Sequence, residues 1–179
     1  MRDARDDEFT AFVVDHGGSL LRTAYLVTGN RTSGEDLLQT ALAKVYGAWP
    51  KVRAADEPMA YARRVLVNAH LSWLRRMSSS EQVLHSLPDR GSGDLQDRHA
   101  EADEMRRALL RLSPRVRTAV VLRYFDDLSE ADTAALMGCS RSTVNNHVTH
   151  GLYALRALLV PGAPDAPAPV PTPTSWRQS

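Results

Sequence analysis

The sequence contains a single cysteine, Cys139, and no long run of apolar residues. One thiol excludes an intramolecular disulfide and a metal site built mainly from cysteines, and it is typical of a reducing compartment. A membrane helix needs about 18–20 apolar residues in a row, and the charged start MRDARDDEF is unlike a secretion signal. We therefore expect a soluble, cytoplasmic protein with no membrane segment.

The sequence also has no large excess of charge of either sign. It contains 22 basic and 21 acidic residues, and the formal net charge is +1. No overall field draws such a protein to nucleic acid or to an anionic membrane, so this kind of binding would depend on local clusters. Motifs of catalysis are missing too: there is no carboxylate cluster, glycine-rich phosphate loop or Ser/Cys–His arrangement. We expect no enzyme, no metal and no cofactor.

What is present is helical periodicity. Through residues 8–76 apolar side chains recur every three or four positions, a spacing typical of α-helices and not of strands. A helix is predicted from Ser33, whose SGED segment suits a helix start, to about Trp49, because Pro50 should stop it. Four apolar residues would mark its buried side: Leu38, Leu42, Val45 and Trp49.

A longer helix is predicted from Pro58 to about Arg76, since proline is preorganised for the first helical turn. Trp73 falls on or beside the apolar side of this helix and is expected in the core. Periodicity returns from residue 101 to 160, including a helix that starts at Ser113-Pro114.

The composition divides the chain into parts. Residues 78–102 are rich in Ser, Gly, Asp and Gln and predict a flexible linker, which would reach roughly 80 Å when extended. It separates two predicted helical domains, residues 1–77 and 103–160. The last residues, 161–179, contain six prolines and predict a disordered tail. The fold class is therefore all-α with two small helical domains.

The most specific pattern lies between Leu128 and Arg156. Ser129 with Asp132 three positions later is a capping box, Gly138 suits the left-handed end of a helix, and Ser140 can cap the next helix. Two helices joined by a short glycine-containing turn form a helix-turn-helix, whose second helix can enter the DNA major groove.

The predicted second helix of this motif has two sides. Five apolar residues are expected to face the core: Val144, Val148, Leu152, Leu155 and Leu159. Six polar residues are candidates for DNA contact: Arg141, Ser142, Thr143, Asn145, Asn146 and Thr149. Arginine can bind guanine, and asparagine adenine, through two hydrogen bonds each. The alternative is an ordinary helical hairpin with solvated polar residues.

Three segments together resemble one family. LSPRVRTAVVLRYFDDLSEADTAALMGCSRSTV resembles the C-terminal promoter-binding domain of the extracytoplasmic-function (ECF) sigma factors, which belong to the sigma-70 family. SGEDLLQTALAKVYGAW resembles the polymerase-binding helix of that family, and PMAYARRVLVNAHLSWLRR its promoter-melting helix. The order also matches, over roughly residues 8–160, and LLQTAL is similar to the SigE-like subgroup of actinobacteria. The resemblance implies a subunit of RNA polymerase that recognises −35 and −10 elements, helps to melt the −10 region and performs no chemistry itself.

The resemblance also implies partners: promoter DNA, core RNA polymerase and an anti-sigma factor. The first domain, region 2, would bind the β′ coiled coil, and the second, region 4, the β flap. The β′ contact would be made by Asp36, Gln39, Thr40 and Ala43. Thr40 stands where the family more often has Glu, which removes one charge from this contact.

The −10 contact is assigned by the same resemblance to the loop at residues 50–57 and to the helix after it. A captured single strand calls for cations along its backbone and planar groups for stacking. The candidates are Lys51, Arg53, Tyr61, Arg63, Arg64, Asn68, Arg75 and Arg76. No acidic residue occurs from Met59 to Met77, which favours phosphate binding over a plain solvated face.

One departure from the family affects the −35 contact. Asn145 stands where the family commonly has Lys, so −35 binding is expected to be weak or altered. Three alternative functions stay open at this point. They are a conventional helix-turn-helix regulator that binds DNA as a dimer without core polymerase, an enzyme of nucleic-acid metabolism, and an interaction module that has lost DNA reading.

Overall fold

The structure is a computed structural model that describes residues 4–79 and 100–160. Within these ranges the chain forms helices and no strands, so the all-α prediction is confirmed. The helices are α1 (Ala4–Thr28), α2 (Arg31–Gly47), α3 (Trp49–Val52), α4 (Pro58–Ser79), α5 (Ala100–Leu110), α6 (Pro114–Tyr124), α7 (Glu130–Met137) and α8 (Arg141–Leu159). None of them combines the length and the apolar character needed to cross a membrane.

Helices α1 to α4 form a first group around one apolar core. Leu20 and Ala24 of α1 pack there with Val45, Trp49 and Leu66. Leu38 and Leu42, predicted to be buried, are half-buried at the edge of this core. Helices α1 and α2 approach closely at Gly34, where a Cβ atom would lie 3.1 Å from the Tyr25 backbone.

The start and end of α2 differ from the prediction. The helix begins at Arg31, two residues before Ser33, and Asn30 caps it by accepting a hydrogen bond from the Ser33 amide at 2.7 Å. Asparagine and serine are equally good caps, so the sequence did not decide between them. Pro50 does not stop α2, which ends at Gly47, but lies in the first turn of α3.

Helices α5 to α8 form a second group. Its core contains Leu109 and Leu112, with Val120 of α6 and Leu155 of α8. Both ends of the predicted linker 78–102 are helical, because α4 continues to Ser79 and α5 begins at Ala100. The rest of that segment, and the predicted tail 161–179, lie outside the described residues.

The two groups pack against each other. Val67 and Leu71 of α4 are buried in one apolar cluster with Ala119 and Leu122 of α6 and Met137 of α7. At the end of α1, Gly29 adopts the left-handed conformation with φ at 88°, and a Cβ atom on it would lie 2.0 Å from Leu110 Cδ2 of α5, so the two groups approach closely here. Helices α6 and α7 of the second group are thus packed directly on the first group.

Candidate nucleic-acid interface

Helices α7 and α8 form the helix-turn-helix that the sequence predicts. The Ser129 side chain accepts a hydrogen bond from the Asp132 amide at 3.0 Å and caps α7. Gly138 ends that helix in the left-handed conformation, with φ at 63°. Ser140 then caps α8 by accepting from the Thr143 amide at 3.1 Å. The predicted caps at Ser129 and Ser140 and the left-handed helix end at Gly138 are therefore confirmed.

The inner side of α8 is only partly as predicted. Val144, Val148 and Leu155 are buried, but Leu152 is 38% exposed, and Gly151 takes its place in the core. The reason is the closeness of α6: a Cβ atom on Gly151 would lie 2.5 Å from Val120 Cγ2. The backbone of α8 therefore contacts α6 directly at Gly151, which turns Leu152 outward.

The outer side of α8 is polar. Five of the six candidate residues are exposed: Arg141, Ser142, Asn145, Asn146 and Thr149. Thr149 Oγ1 donates to Asn145 Oδ1 at 3.1 Å, which orients the asparagine amide. The carboxamide oxygen can still accept a second hydrogen bond, so the group can pair with adenine. Thr143 is different, because it is half-buried and its hydroxyl lies 2.8 Å from Ser140 Oγ within the cap.

The second candidate surface is the outer side of α4. Tyr61, Arg64 and Asn68 are exposed on it, and Arg75 and Arg76 are exposed near the end of the helix. The steps of three and four residues from Tyr61 to Asn68 put these three on one side of the helix. The described surface of α4 therefore offers cations, an amide and an aromatic ring together.

The prediction that Trp73 lies in the core is wrong. The side chain is 46% exposed, with its ring 6.3 Å from that of His70. The apolar side of α4 changes partner along the helix: Leu66 packs in the first group, but Val67 and Leu71 pack under the second. This change rotates the buried side and leaves Trp73 outside it, where its ring is available for stacking on a base.

Arg53 and Arg63 are engaged in ion pairs. Arg53 Nη1 lies 2.7 Å from Glu8 Oε2, and both side chains are about half exposed. Arg63 Nε lies 3.4 Å from Asp126 Oδ2, in the second group, and only 17% of the Arg63 side chain is exposed. Lys51 is exposed beside the loop. An exposed pair such as Arg53 with Glu8 contributes roughly 0–1 kcal/mol and exchanges its partner readily.

A hollow of about 500 Å³ lies beside the same loop. It is lined by Glu8, Trp49, Arg53, Ala54 and Pro58. The hollow is a shallow and open depression of the surface. Glu8 could not be predicted as a neighbour of this loop, because no local pattern connects α1 to a residue 45 positions further along the chain.

The outer side of α2 carries the third candidate set. Asp36, Gln39, Thr40 and Ala43 are all exposed, whereas Ala41 and Val45 on the other side are buried. The four exposed positions follow each other at helical spacing. They form one continuous surface on the first group.

Buried ionisable groups collect between the two groups of helices. Burial, together with the Arg117 cation, lowers the pKa of His70 to about 4. Burial also lowers the pKa of Arg117 and raises that of Asp126. Arg117 Nε donates to the Val27 carbonyl of α1 at 3.0 Å. Within residues 4–79 and 100–160 no three His, Cys, Asp or Glu side chains come together as a metal site would require.

Comparison with known proteins decides the family. Residues 12–79 match sigma-70 region 2, and residues 102–155 match sigma-70 region 4. The RNA polymerase sigma-E factor of Streptomyces coelicolor is 35% identical over 161 residues, which cover 90% of this chain and 91% of that protein. The chain belongs to the sigma-70 family. Its relatives place it among the ECF sigma factors: SigM of Mycobacterium tuberculosis is 29% identical over 80% of this chain and 73% of its own length.

One solved structure supports the fold of this sigma factor. It is that of the sigma factor RpoE in complex with the anti-sigma factor NepR from Bartonella quintana. The TM-score is 0.70 at 22% identity, and the match covers 85% of this chain and 96% of the other. The shared fold therefore extends over both groups of helices.

The family also decides the function. This sigma factor directs promoter-specific transcription initiation by RNA polymerase, and it binds the core enzyme and promoter DNA. A conventional helix-turn-helix regulator is not favoured, because such a protein would have no use for a region 2 domain in residues 12–79. The family assignment made from three sequence segments is confirmed.

Proposed function

We propose that the outer side of α8 reads the −35 element, chiefly through Arg141 and Asn145. The observation that carries this assignment is the capped helix-turn-helix whose exposed side holds both residues. Each can make a pair of hydrogen bonds to a purine in the major groove. Ser142, Asn146 and Thr149 border them and would contact the neighbouring backbone, while Thr143 would act through the helix cap.

The −10 element is assigned to α4 and the loop before it. Arg64, Asn68, Arg75 and Arg76 would hold the strand backbone, with Tyr61 and Trp73 as stacking rings. The hollow lined by Trp49, Ala54 and Pro58 beside the Glu8–Arg53 pair would receive an extruded base, with Lys51 on the neighbouring α3. The exposed ion pair supports the assignment, because DNA phosphate can replace the Glu8 carboxylate at small cost.

Two surfaces are assigned to core polymerase. The side of α2 with Asp36, Gln39, Thr40 and Ala43 would dock on the β′ coiled coil. The β flap would contact α8 beyond its DNA-reading turn, where Leu152 and Tyr153 are exposed beside Arg156. Exposed apolar side chains grouped in this way are typical of a protein interface.

The remaining parts of the proposal concern chemistry, location and control. Catalysis belongs to the polymerase, and this protein would act in the cytoplasm without cofactor or metal. Residues 1–77 would work as region 2 and 103–160 as region 4, with 78–102 spanning between them. Because RpoE of Bartonella quintana forms a complex with an anti-sigma factor, we assign an inhibitor of the same class to this protein.

Start-site-specific transcription tests the proposal. The purified protein is mixed with core RNA polymerase and a library of promoter fragments, and the transcripts are sequenced. Transcripts that depend on this protein and share −35 and −10 sequences are expected, and an anti-sigma factor added to the mixture should abolish them. Binding to polymerase without any such transcript would refute the assigned DNA-reading residues.

A further inference from the structure

A cluster of basic side chains lies on the flank of α8, beside its outer side. His147 and His150 are three positions apart, so both point to the same side of the helix, and both are half-buried. Asn146, which borders the proposed −35 contact, lies one turn before His150. The two histidines are therefore neighbours of the DNA-reading side and lie at the edge of the core.

Arg115 of α6 completes the cluster. The first turn of α6 lies against α8 at Gly151, where an added Cβ atom would be 3.0 Å from Val116 Cγ1. Arg115 and His150 are the sequence neighbours of these two contacting residues. The exposed Arg115 cation acts on His147 electrostatically, and so does His150. The cluster therefore joins two helices that are distant in sequence.

The cluster has no acidic partner. Within residues 4–79 and 100–160, none of Arg115, His147 and His150 forms an ion pair, although α5 and α7 also pack on α8. The Cys139 thiol lies near Arg115 in the turn before α8, but burial raises its pKa, so it brings no negative charge. A group of cations without a nearby carboxylate attracts an anion.

The position of the cluster determines which anion can reach it. The major groove is about 12 Å wide, and a helix with its side chains is about 10–12 Å across, so a helix fills the groove. Its two flanks then face the two phosphate backbones. When the outer side of α8 faces the bases, the flank with His147 and His150 faces one of these backbones. The anion that fits this place is a backbone phosphate.

We propose that Arg115, His147 and His150 bind a backbone phosphate of the −35 duplex, and that the two histidines take up protons when they do so. The proposal rests on the proposed −35 role of α8. Arginine is always charged, whereas an imidazole changes its charge between about pH 5 and 8. Burial and the two neighbouring cations lower the pKa of His147, and a phosphate would raise this pKa again. The affinity for duplex DNA should therefore rise as the pH falls.

The pH dependence of duplex binding tests this proposal in the full-length protein. The probe is a fluorescently labelled duplex of about 20 base pairs and arbitrary sequence, because phosphate contacts do not depend on the bases. Its affinity is measured by anisotropy at about pH 6 and pH 8 and at constant ionic strength. The parent protein should bind roughly tenfold more tightly at the lower pH, since each histidine whose pKa rises by about one unit adds up to tenfold.

Glutamine substitutions remove the titrating groups and keep polar side chains. The double variant with His147→Gln and His150→Gln should bind like the parent at the higher pH and gain nothing at the lower one. The matched control is His16→Gln, which makes the same change at a half-buried histidine of α1 and should keep the full pH dependence. His70 does not titrate in this range, because its pKa is about 4.

Proton NMR gives a second readout, which a purely structural role of the histidines would not change. The signals of the imidazole C2 protons report the pKa of each histidine, and the glutamine variants assign them. Duplex DNA should raise the pKa of His147 and of His150. Arg115→Gln removes a neighbouring cation and should raise the pKa of His147 without DNA. Inorganic phosphate alone, at the same concentration of phosphate groups, should leave both values unchanged.

The two measurements separate the possible failures. A double variant that keeps the pH dependence of the parent would overturn the proposal, because the protons would then be taken up elsewhere. Duplex binding without any pH dependence would overturn the phosphate site and leave the −35 role of α8 in place. Absence of duplex binding at both pH values would overturn the two together. An equal rise of both pKa values with inorganic phosphate would overturn promoter DNA as the ligand.

Discussion

Replacing Gly151 with alanine should destabilise the protein although alanine is the better helix former. A Cβ atom at this position would lie 2.5 Å from Val120 Cγ2 and 3.0 Å from Val116 Cγ1. Both valines are buried, at 1% and 8% exposure, and branching at Cβ restricts their rotation. Overpacking of this kind costs about 1–3 kcal/mol, against a gain of about 1 kcal/mol in helix propensity. We expect a net loss of up to about 2 kcal/mol in the free energy of unfolding.

The matched control is Gly18→Ala. Gly18 also lies inside a helix, but it is exposed and nothing stands within 4 Å of its added Cβ atom. Both variants gain the same helix propensity, so the difference between their free energies of unfolding reports only the clash of the Cβ atom added at Gly151 with Val116 and Val120. A difference of about 2 kcal/mol corresponds to roughly 4–8 °C in Tm, measured by circular dichroism during heating. Equal stability of the two variants would refute the close approach of α8 to α6.

Three further predictions concern DNA, polymerase and pH. Arg141→Ala and Asn145→Ala should each weaken −35 binding by about 1–3 kcal/mol in a gel-shift titration. A loss of binding free energy below about 0.5 kcal/mol would refute the base contact assigned to that residue. Asp36→Ala or Gln39→Ala should weaken binding to core polymerase without changing promoter sequence preference. An unchanged affinity for polymerase in both variants would refute the assignment of polymerase binding to the outer side of α2. Folded His70 has a pKa of about 4, against 6.5 for the ordinary side chain. The unfolded chain therefore takes up the proton first as the pH falls from about 6.5 to 4, and the free energy of unfolding should drop by about 3 kcal/mol. His70→Leu should remove this contribution when the free energy of unfolding is measured by urea denaturation across this pH range. An unchanged pH dependence in the variant would show that His70 is not its source.

Local signals in the sequence were enough to predict the DNA-reading motif. Ser129, Gly138 and Ser140 each act on their own few residues of backbone, so their effect does not depend on the rest of the fold. The boundaries of α2 were predicted less well, because Asn30 and Ser33 offered competing caps. Gly151 could not be placed either, since a glycine within a helix indicates close packing only when the neighbouring helix is known.

The packing of one group on the other was not predicted. Val67 and Leu71 fit the apolar spacing of α4 equally well whether they pack within the first group or under the second. Asp126 carries no signal at all, because its partners Thr23 and Arg63 are distant in sequence. Trp73 was misplaced for the same reason. Sequence periodicity identifies a buried side of a helix, but it does not identify the element that covers it.

The end of α1 depends on the second group of helices. Carbonyl groups in the last turn of a helix have no partner within that helix. Here Arg117 donates to the Val27 carbonyl at 3.0 Å, and Arg106 to the Gly29 carbonyl at 3.3 Å. If the groups separated, both arginines would leave, and α1 would lose these bonds directly before α2 begins. The start of α2, which carries the proposed polymerase surface, is therefore coupled to the position of the second group of helices, and amide exchange in this turn reports that position without any label.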